Sequence, residues 1–257
     1  MQIHILTAHF GDLNWTHHLV KKIYTEKKLS KHEISLTVIN QDRTLSSLKE
    51  IKSWGSIDVV EVSKNDFFIN ATGHDHAWAL DNEWSKIEGD ILILFDCDAH
   101  PMKDHWVDWI IDKLKTFGAI LAEDHLRQGK PHPCFMAMNR EVADSGISFS
   151  DGVIEEKEDT GRRILEQLNS QGVKTLLLPP KRRFCKIAGI TYDKWLYHHG
   201  SGTFNASKDS RLLSQVHRWD AKVKNIVLNE GRYDFSPLEK AMYKIGKKFY
   251  NTKVLLF

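Results

Sequence analysis

The sequence predicts an α/β protein with a doubly wound, mainly parallel central sheet flanked by helices, and three observations carry that expectation. Residues 91–95, ILILF, form an unbroken apolar run behind a Gly89-Asp90 turn signal. A run of that length is expected for a strand buried on both faces, as strands of a parallel sheet are. The first 100 residues alternate strand-like and helix-like patterns, the signature of strand–helix–strand crossovers. Finally, 257 residues with 41% hydrophobic and 27% charged side chains are ordinary for a globular α/β chain.

Taken in order, residues 3–8 form the first expected strand. A helix over 15–24 follows the loop HFGD, with Asn14 or Thr16 as its cap. Residues 33–40, rich in β-branched side chains, predict a second strand. The loop QDRT leads to a helix near 45–52, and residues 58–62 predict a third strand. Residues 71–88 place Ala77, Leu80, Trp84 and Ile87 at spacings of three and four, so a helix is expected there. After the apolar run, a helix is predicted over 106–117 and strands over 119–122 and 134–139. Asp159 and Thr160 can cap a helix over 162–169, ended by Gly172. A strand over 173–178 is closed by Pro179-Pro180, and YHHGSGT at 197–203 is expected to be a loop. With no internal repeat or low-complexity linker, one domain over 1–205 is expected, with a basic helical extension over 206–257.

The buried run ends in two carboxylates, Asp96 and Asp98. Ligands of open α/β sheets bind at the carboxyl ends of strands. Two acids there repel each other unless a positive charge intervenes, and a divalent cation such as Mg²⁺ or Mn²⁺ suits hard carboxylate oxygens. The same spacing also suits an Asp96 that caps a turn and an Asp98 solvated in a loop. Cys97 between them is expected to point back into the core, since strand side chains alternate.

Charge and cysteine usage bound the partners. The net charge of +2 conceals a balance of −8 over residues 1–180 and +10 over 181–257. A basic final third fits a polyanionic surface, nucleic acid or anionic lipid, and equally fits lysines that solvate exposed helices. Residues 237–250 place Leu238, Ala241, Met242, Ile245 and Phe249 at helical spacing among lysines, a cationic amphipathic helix suited to peripheral membrane contact. No apolar segment approaches the length of a membrane span, and no signal-peptide pattern opens the chain. Cys97, Cys134 and Cys185 are widely spaced and odd in number, so a reducing, cytoplasmic setting is expected rather than a disulfide framework.

The order of these pieces resembles the GT-A glycosyltransferases, most closely the family-two-like enzymes, over about residues 1–205. The motifs that carry the resemblance are the first strand with its TAHFG loop, the Asp96-Cys97-Asp98 triplet, Glu158-Asp159 before Thr160-Gly161, and the late His198-His199-Gly200. The resemblance implies a nucleotide-sugar donor held by Thr7, Ala8 and His9, by Asp42 after the second strand, by Asp81 on the helix over 75–88, and by Asp96. It implies Mn²⁺ or Mg²⁺ on Asp96, Asp98 and a histidine, with His199 preferred over His198. It makes Asp159 the general base, and hence the transfer inverting. A UDP-linked hexose is the expected donor, and the expected acceptor is a hydroxymethylated or glycosylated base in phage-type DNA, or a lipid-linked or cell-surface glycan. Lys181, Arg182 and Arg183 are candidate diphosphate clamps. Two other classes share parts of the pattern. A metal-dependent nucleotidyltransferase would use the same acids but usually shows a Gly-rich phosphate loop, and a non-catalytic nucleic-acid-binding protein would use the basic tail alone.

Overall fold

The computed structural model describes residues 1–10, 12–41, 45–55, 57–61, 72–153, 159–182, 184, 189–200 and 210–244. Its elements run β1 (Gln2–His9), α1 (Leu13–Leu29), β2 (Glu33–Asn40), α2 (Leu45–Ser53), β3 (Asp58–Glu61), α3 (Thr72–Trp84), β4 (Ile91–Asp96) and β5 (Ala99–Pro101). They continue with α4 (Trp106–Leu114), β6 (Ala119–Glu123), β7 (Pro131–Asn139), α5 (Arg140–Ala143), α6 (Ile164–Ser170) and β8 (Thr175–Leu178). The last are β9 (Pro180–Arg182), β10 (Ile190–Tyr192), β11 (Leu196–His198) and α7 (Ser210–Glu230).

Seven strands form the main sheet in the order β3-β2-β1-β4-β7-β6-β8. Four neighbouring pairs are parallel, and β7 runs antiparallel to both β4 and β6. The chain winds outward from β1 to β3 and returns with β4 on the other side of β1. That reversal opens a crevice at the carboxyl ends of β1 and β4, where Ala8 pairs with Asp96. The apolar run of β4 works as its composition demands. Ile91, Ile93 and Phe95 enter one core with Leu19, Val20 and Ile23 of α1 and Val107 and Ile110 of α4. Leu92 and Leu94 enter the opposite core with Ala77, Leu80 and Trp84 of α3 and Ile164 and Leu168 of α6. Each face of the sheet thus has its own helical cover, and burying both sets of side chains supplies the main driving force for the fold.

A second, antiparallel sheet of order β5-β11-β10-β9 stands at the carboxyl end of β4. The stretch expected as a loop over 197–203 is in part its strand β11, in which His198 pairs with Ala99. Strands of three residues are too short for alternation to betray them in sequence. Several boundaries also differ; α6 begins at Ile164 after Arg163, with no side-chain cap from Asp159 or Thr160. Asp12, rather than Asn14 or Thr16, caps α1 by accepting the Asn14 N–H at 3.1 Å. α3 stops at Trp84, so Ile87 reaches the core from the turn that leads into β4.

The chain closes with α7, whose Val223, Ile226 and Val227 pack with Trp15 of α1, Tyr197 of β11 and Phe235. Residues 237–244 are helical, with Leu238 and Met242 exposed. Among the described residues no helix is long and apolar enough to cross a membrane.

Candidate active site

At the β1–β4 crevice lies a cavity of about 450 Å3. One wall comes from strand ends and α3: Ala8, Gln41, His76, Asp96, Cys97 and Asp98. The other comes from the β6–β7 connection and the turn before α6: Asp124, Arg127, His132, Asp159, Thr160 and Arg162. His198 and Gly200 close it from the small sheet.

The two acids are held differently. Asp96 ends β4 and is half-buried, 3.6 Å from His76 Nε2. His76 Nδ1 is in turn 2.9 Å from Gln41 Oε1, so α3 and the β2 end are tied to the acid. Asp98 is 5% exposed. Its Oδ1 faces His198 Nε2 at 3.4 Å, its Oδ2 accepts the Gly200 N–H at 3.1 Å, and its carbonyl accepts the His199 N–H at 3.0 Å. Gly200 has φ +79°, a left-handed conformation that glycine adopts without the clash a Cβ would bring. Asp96, Asp98 and His198 each place one ligand atom within 4.8 Å of the other two. Two carboxylate oxygens and an imidazole nitrogen fit a divalent cation such as Mn²⁺, and they are the residues that would hold it.

The adjacent histidines point in different directions. His199, preferred as a ligand on sequence, is 1% exposed and faces away from the acids. Its Nδ1 lies 3.0 Å from the Tyr197 hydroxyl and its Nε2 2.8 Å from Asp220 Oδ1 on α7. Neighbouring strand residues point to opposite faces, so only one of the pair can join Asp98. Cys97 also departs from expectation: it follows the end of β4 in a turn, strand alternation no longer applies, and it lines the cavity. Burial and the flanking Asp98 and Asp96 push its thiol up to about 12.

Of the expected donor contacts, Ala8 lines the cavity. Thr7 is fully buried, and its hydroxyl has no hydrogen-bond partner among the described residues. His9 is buried with Nδ1 on the Thr16 hydroxyl at 2.7 Å, which turns it toward α1. Asp81 is a loop anchor rather than a cavity residue. Its oxygens accept the Phe149 N–H at 2.6 Å and the Ser150 hydroxyl at 2.5 Å, fixing the chain at residues 149–150. Asp42 and Glu158 lie outside the described residues, as do Arg183 and residues 245–257. Lys181 is exposed on β9.

No protein-family model matches the chain, and no curated protein matches it in sequence. Solved structures do share its architecture. A galactosyltransferase, LgtC, solved with donor and acceptor sugar analogues, is 15% identical at a TM-score of 0.50, covering 86% of this chain and 83% of its own. Glucosyl-3-phosphoglycerate synthase from Mycobacterium tuberculosis, solved with Mn²⁺, UDP and phosphoglyceric acid, is 13% identical at 0.50, covering 91% and 80%. The mannosyltransferase PcManGT from Pyrobaculum calidifontis, solved with GDP-Man and Mn²⁺, is 14% identical at 0.51. The chain matches it over 69% of its own length and spans about half, 54%, of that protein. The chain has a GT-A fold.

In this GT-A fold the wall facing the acids holds residues that sequence reasoning missed. Arg162, 4% exposed, donates to Asp124 Oδ2 at 2.7 Å and to the Pro131 carbonyl at 3.2 Å, and stands 3.6 Å from Asp159 Oδ2. Burial alone would raise the Asp124 carboxyl; the Leu126 N–H and the Arg162 guanidinium outweigh it and hold the group below the usual carboxylate range. Asp159 stays exposed over half its side chain, with Oδ1 accepting the Thr160 N–H at 3.0 Å. Gly161, φ +66°, then turns the chain toward α6. His76, Arg162 and His132 lack a motif of their own. The only signal was their place near the expected strand and helix ends.

Proposed function

We propose that this protein is a metal-dependent glycosyltransferase that moves a hexose from a nucleoside diphosphate sugar to an acceptor hydroxyl. The observation that carries the reading is the trio Asp96, Asp98 and His198 at the β1–β4 reversal, on the wall of the 450 Å3 cavity. A Mn²⁺ ion bound there would supply Lewis-acid neutralisation of the departing diphosphate. The three structural relatives are named as sugar-transfer enzymes, and two were solved with Mn²⁺, which supports the same choice of metal. The protein's own residues do the remaining work. Ala8, Gln41 and His76 line the side toward β1 and β2, where a nucleoside fits at the strand ends. Gly200 and His198 orient Asp98. Asp159 stands across the cavity as the base that takes the acceptor proton, which makes the transfer inverting. Arg162 stands 3.6 Å from its Oδ2 and helps to aim the carboxylate across the cavity.

Residues 1–205 would then carry donor binding and catalysis, with 206–257 as the basic extension. Its charge favours a polyanionic acceptor, so hydroxymethylated DNA and glycans on anionic lipid are the two arms of an acceptor screen.

Thermal shift against UDP-, GDP-, CMP- and dTDP-sugars, with and without Mn²⁺, tests the reading, because a ligand that binds only the folded chain raises its stability. The expected result is a Mn²⁺-dependent shift for one donor, with Asp98→Asn weakening Mn²⁺ and donor binding at least about 100-fold. Donors that bind without metal, or equally well to Asp98→Asn, would overturn it. Release of pyrophosphate rather than nucleoside diphosphate would make the protein a nucleotidyltransferase.

A further inference from the structure

Next to the acid pair lies a donor group of different chemistry. His132, Cys134 and His198 each bring one ligand atom within 4.8 Å of the other two. The local fold explains how. On β7, Met136 pairs with Leu121 and His132 with Ala122, so Pro133, Cys134 and Phe135 are bulged against a single step of β6. Bulges re-aim side chains beside functional sites. Here the bulge brings the thiol and the His132 ring toward the end of β11, where the His132 and His198 rings stand 4.9 Å apart.

The environment is unusual for a packing cysteine. Cys134 is fully buried, and its thiol makes a long 3.6 Å contact to the Tyr192 hydroxyl. His198 is 4% exposed, and its Nδ1 is buried with no hydrogen-bond partner among the described residues. Buried polar atoms are rarely left unpaired without a reason. A thiol with two imidazoles at ligand range is a tetrahedral metal set lacking its fourth member.

We propose that His132, Cys134 and His198 form a second metal site, for Zn²⁺ or a cation of similar softness, which shares His198 with the carboxylate site. One sulfur and two nitrogens select against Mg²⁺ and Mn²⁺ and for Zn²⁺. Zinc bonds of about 2.0 Å to nitrogen and about 2.3 Å to sulfur set ligand atoms roughly 3.3–3.6 Å apart, within reach of side-chain adjustment of the trio. His132 gives up one contact: its Nδ1 accepts the Cys134 N–H at 3.1 Å, and coordination through either ring nitrogen replaces that bond. Because His132 and His198 line the cavity, the fourth position opens on it and takes water.

Sharing has a consequence. A neutral imidazole offers one lone pair, so His198 serves one metal at a time. Zinc at the thiolate site withdraws the imidazole from Asp96 and Asp98 and weakens Mn²⁺ there. This antagonism rests on the proposed Mn²⁺ role of the acids; the thiolate site does not.

Cobalt(II), a spectroscopic stand-in for Zn²⁺, tests the site in the full-length, metal-stripped protein. The expected result is a thiolate-to-cobalt charge-transfer band with tetrahedral ligand-field bands, bleached by stoichiometric Zn²⁺. Cys134→Ser should abolish the charge-transfer band, and His132→Gln should weaken cobalt affinity at least about tenfold. Cys97→Ser and Asp96→Asn should keep the band, the latter while losing Mn²⁺-dependent donor binding. Circular dichroism checks folding. Should Cys134→Ser unfold, His132→Gln at a half-buried position reads the same site. Absence of the band in the wild type, its persistence in Cys134→Ser, unchanged affinity in His132→Gln, or its loss in Asp96→Asn each overturns the proposal.

Discussion

The seven-stranded and four-stranded sheets meet at Asp98, and polar contacts carry more of the second than of the first. The large sheet is apolar on both faces: the side chains of Ile91 through Phe95 alternate between two cores, each no more than 1% exposed. The small sheet has three-residue strands: Ala99, Ile190, Tyr192 and Leu196 share the core of Ile91 and Phe95, and polar and aromatic contacts add to them. Tyr197, His199 and Asp220 form one chain, and His100 packs against Trp15, His18, Tyr197 and Tyr233. Apolar packing is non-directional and fixes where β4 ends. Hydrogen bonds are directional, so the small sheet fixes which way His198 and Gly200 face. The candidate metal trio draws Asp96 from the end of the large sheet, His198 from the small one, and Asp98 from the turn between them.

That contrast can be broken from either side. Leu94→Ala, in the large sheet, should destabilise by roughly 2–5 kcal/mol through lost burial and a residual cavity. Urea unfolding measures the loss, and Mn²⁺ affinity of the remaining folded protein should hardly change. His199→Phe, beside the small sheet, should cost about 1–3 kcal/mol, because it removes the buried imidazole's bonds to Asp220 and to the Tyr197 hydroxyl. Unlike Leu94→Ala, it should also weaken Mn²⁺ binding about tenfold, since the ring's bonds to Tyr197 and Asp220 hold in place the segment whose N–H positions Asp98. Titration by electron paramagnetic resonance separates the two outcomes. If both variants altered stability alone, the division of labour would be wrong.

An effect that shows only at acid pH lies where α1 meets the small sheet. His18 packs edge-on against His100 at 4.4 Å, and burial, then Lys22 and Lys21, lower it from 6.5 to about 4. The folded protein therefore keeps it neutral while the unfolded chain protonates near 6.5. Its contribution is fully present above pH 6.5 and is lost as the pH falls toward 4. Chemical unfolding across that window should show His18→Gln with a shallower decline than the wild type.

The unequal legibility of the two sheets in sequence follows from the same difference. The run over 91–95 was readable because a doubly buried strand can hide no polar residue, and β1, β2 and α2 declared themselves by pattern. The place of Asp96 and Asp98 at the crevice was readable because they follow such a run. The small sheet was not readable: its strands are shorter than any period, and its contacts join residues about 20 to 100 positions apart, as in His199 with Asp220 and Asp98 with Gly200. For the same reason the choice between His198 and His199 needed the pairing of β11 with β5. Asp81 looked like a donor contact because helix position alone does not show that Ser148, Phe149 and Ser150 would claim its oxygens.

The clasp between α7 and the rest has a practical consequence for anyone shortening this chain. Every described residue that lines the cavity lies at or before Gly200, so a fragment stopping there would look catalytically complete. It would lack Asp220, leaving His199 buried with half its partners, and it would lose Lys224 from Asp12, the cap of α1. It would also strip Val223, Ile226 and Val227 from Trp15 and Tyr197. Proteolytic trimming behind the histidines would therefore act at a distance, silencing the crevice by loosening the strand that aims His198 while leaving every lining residue in the chain.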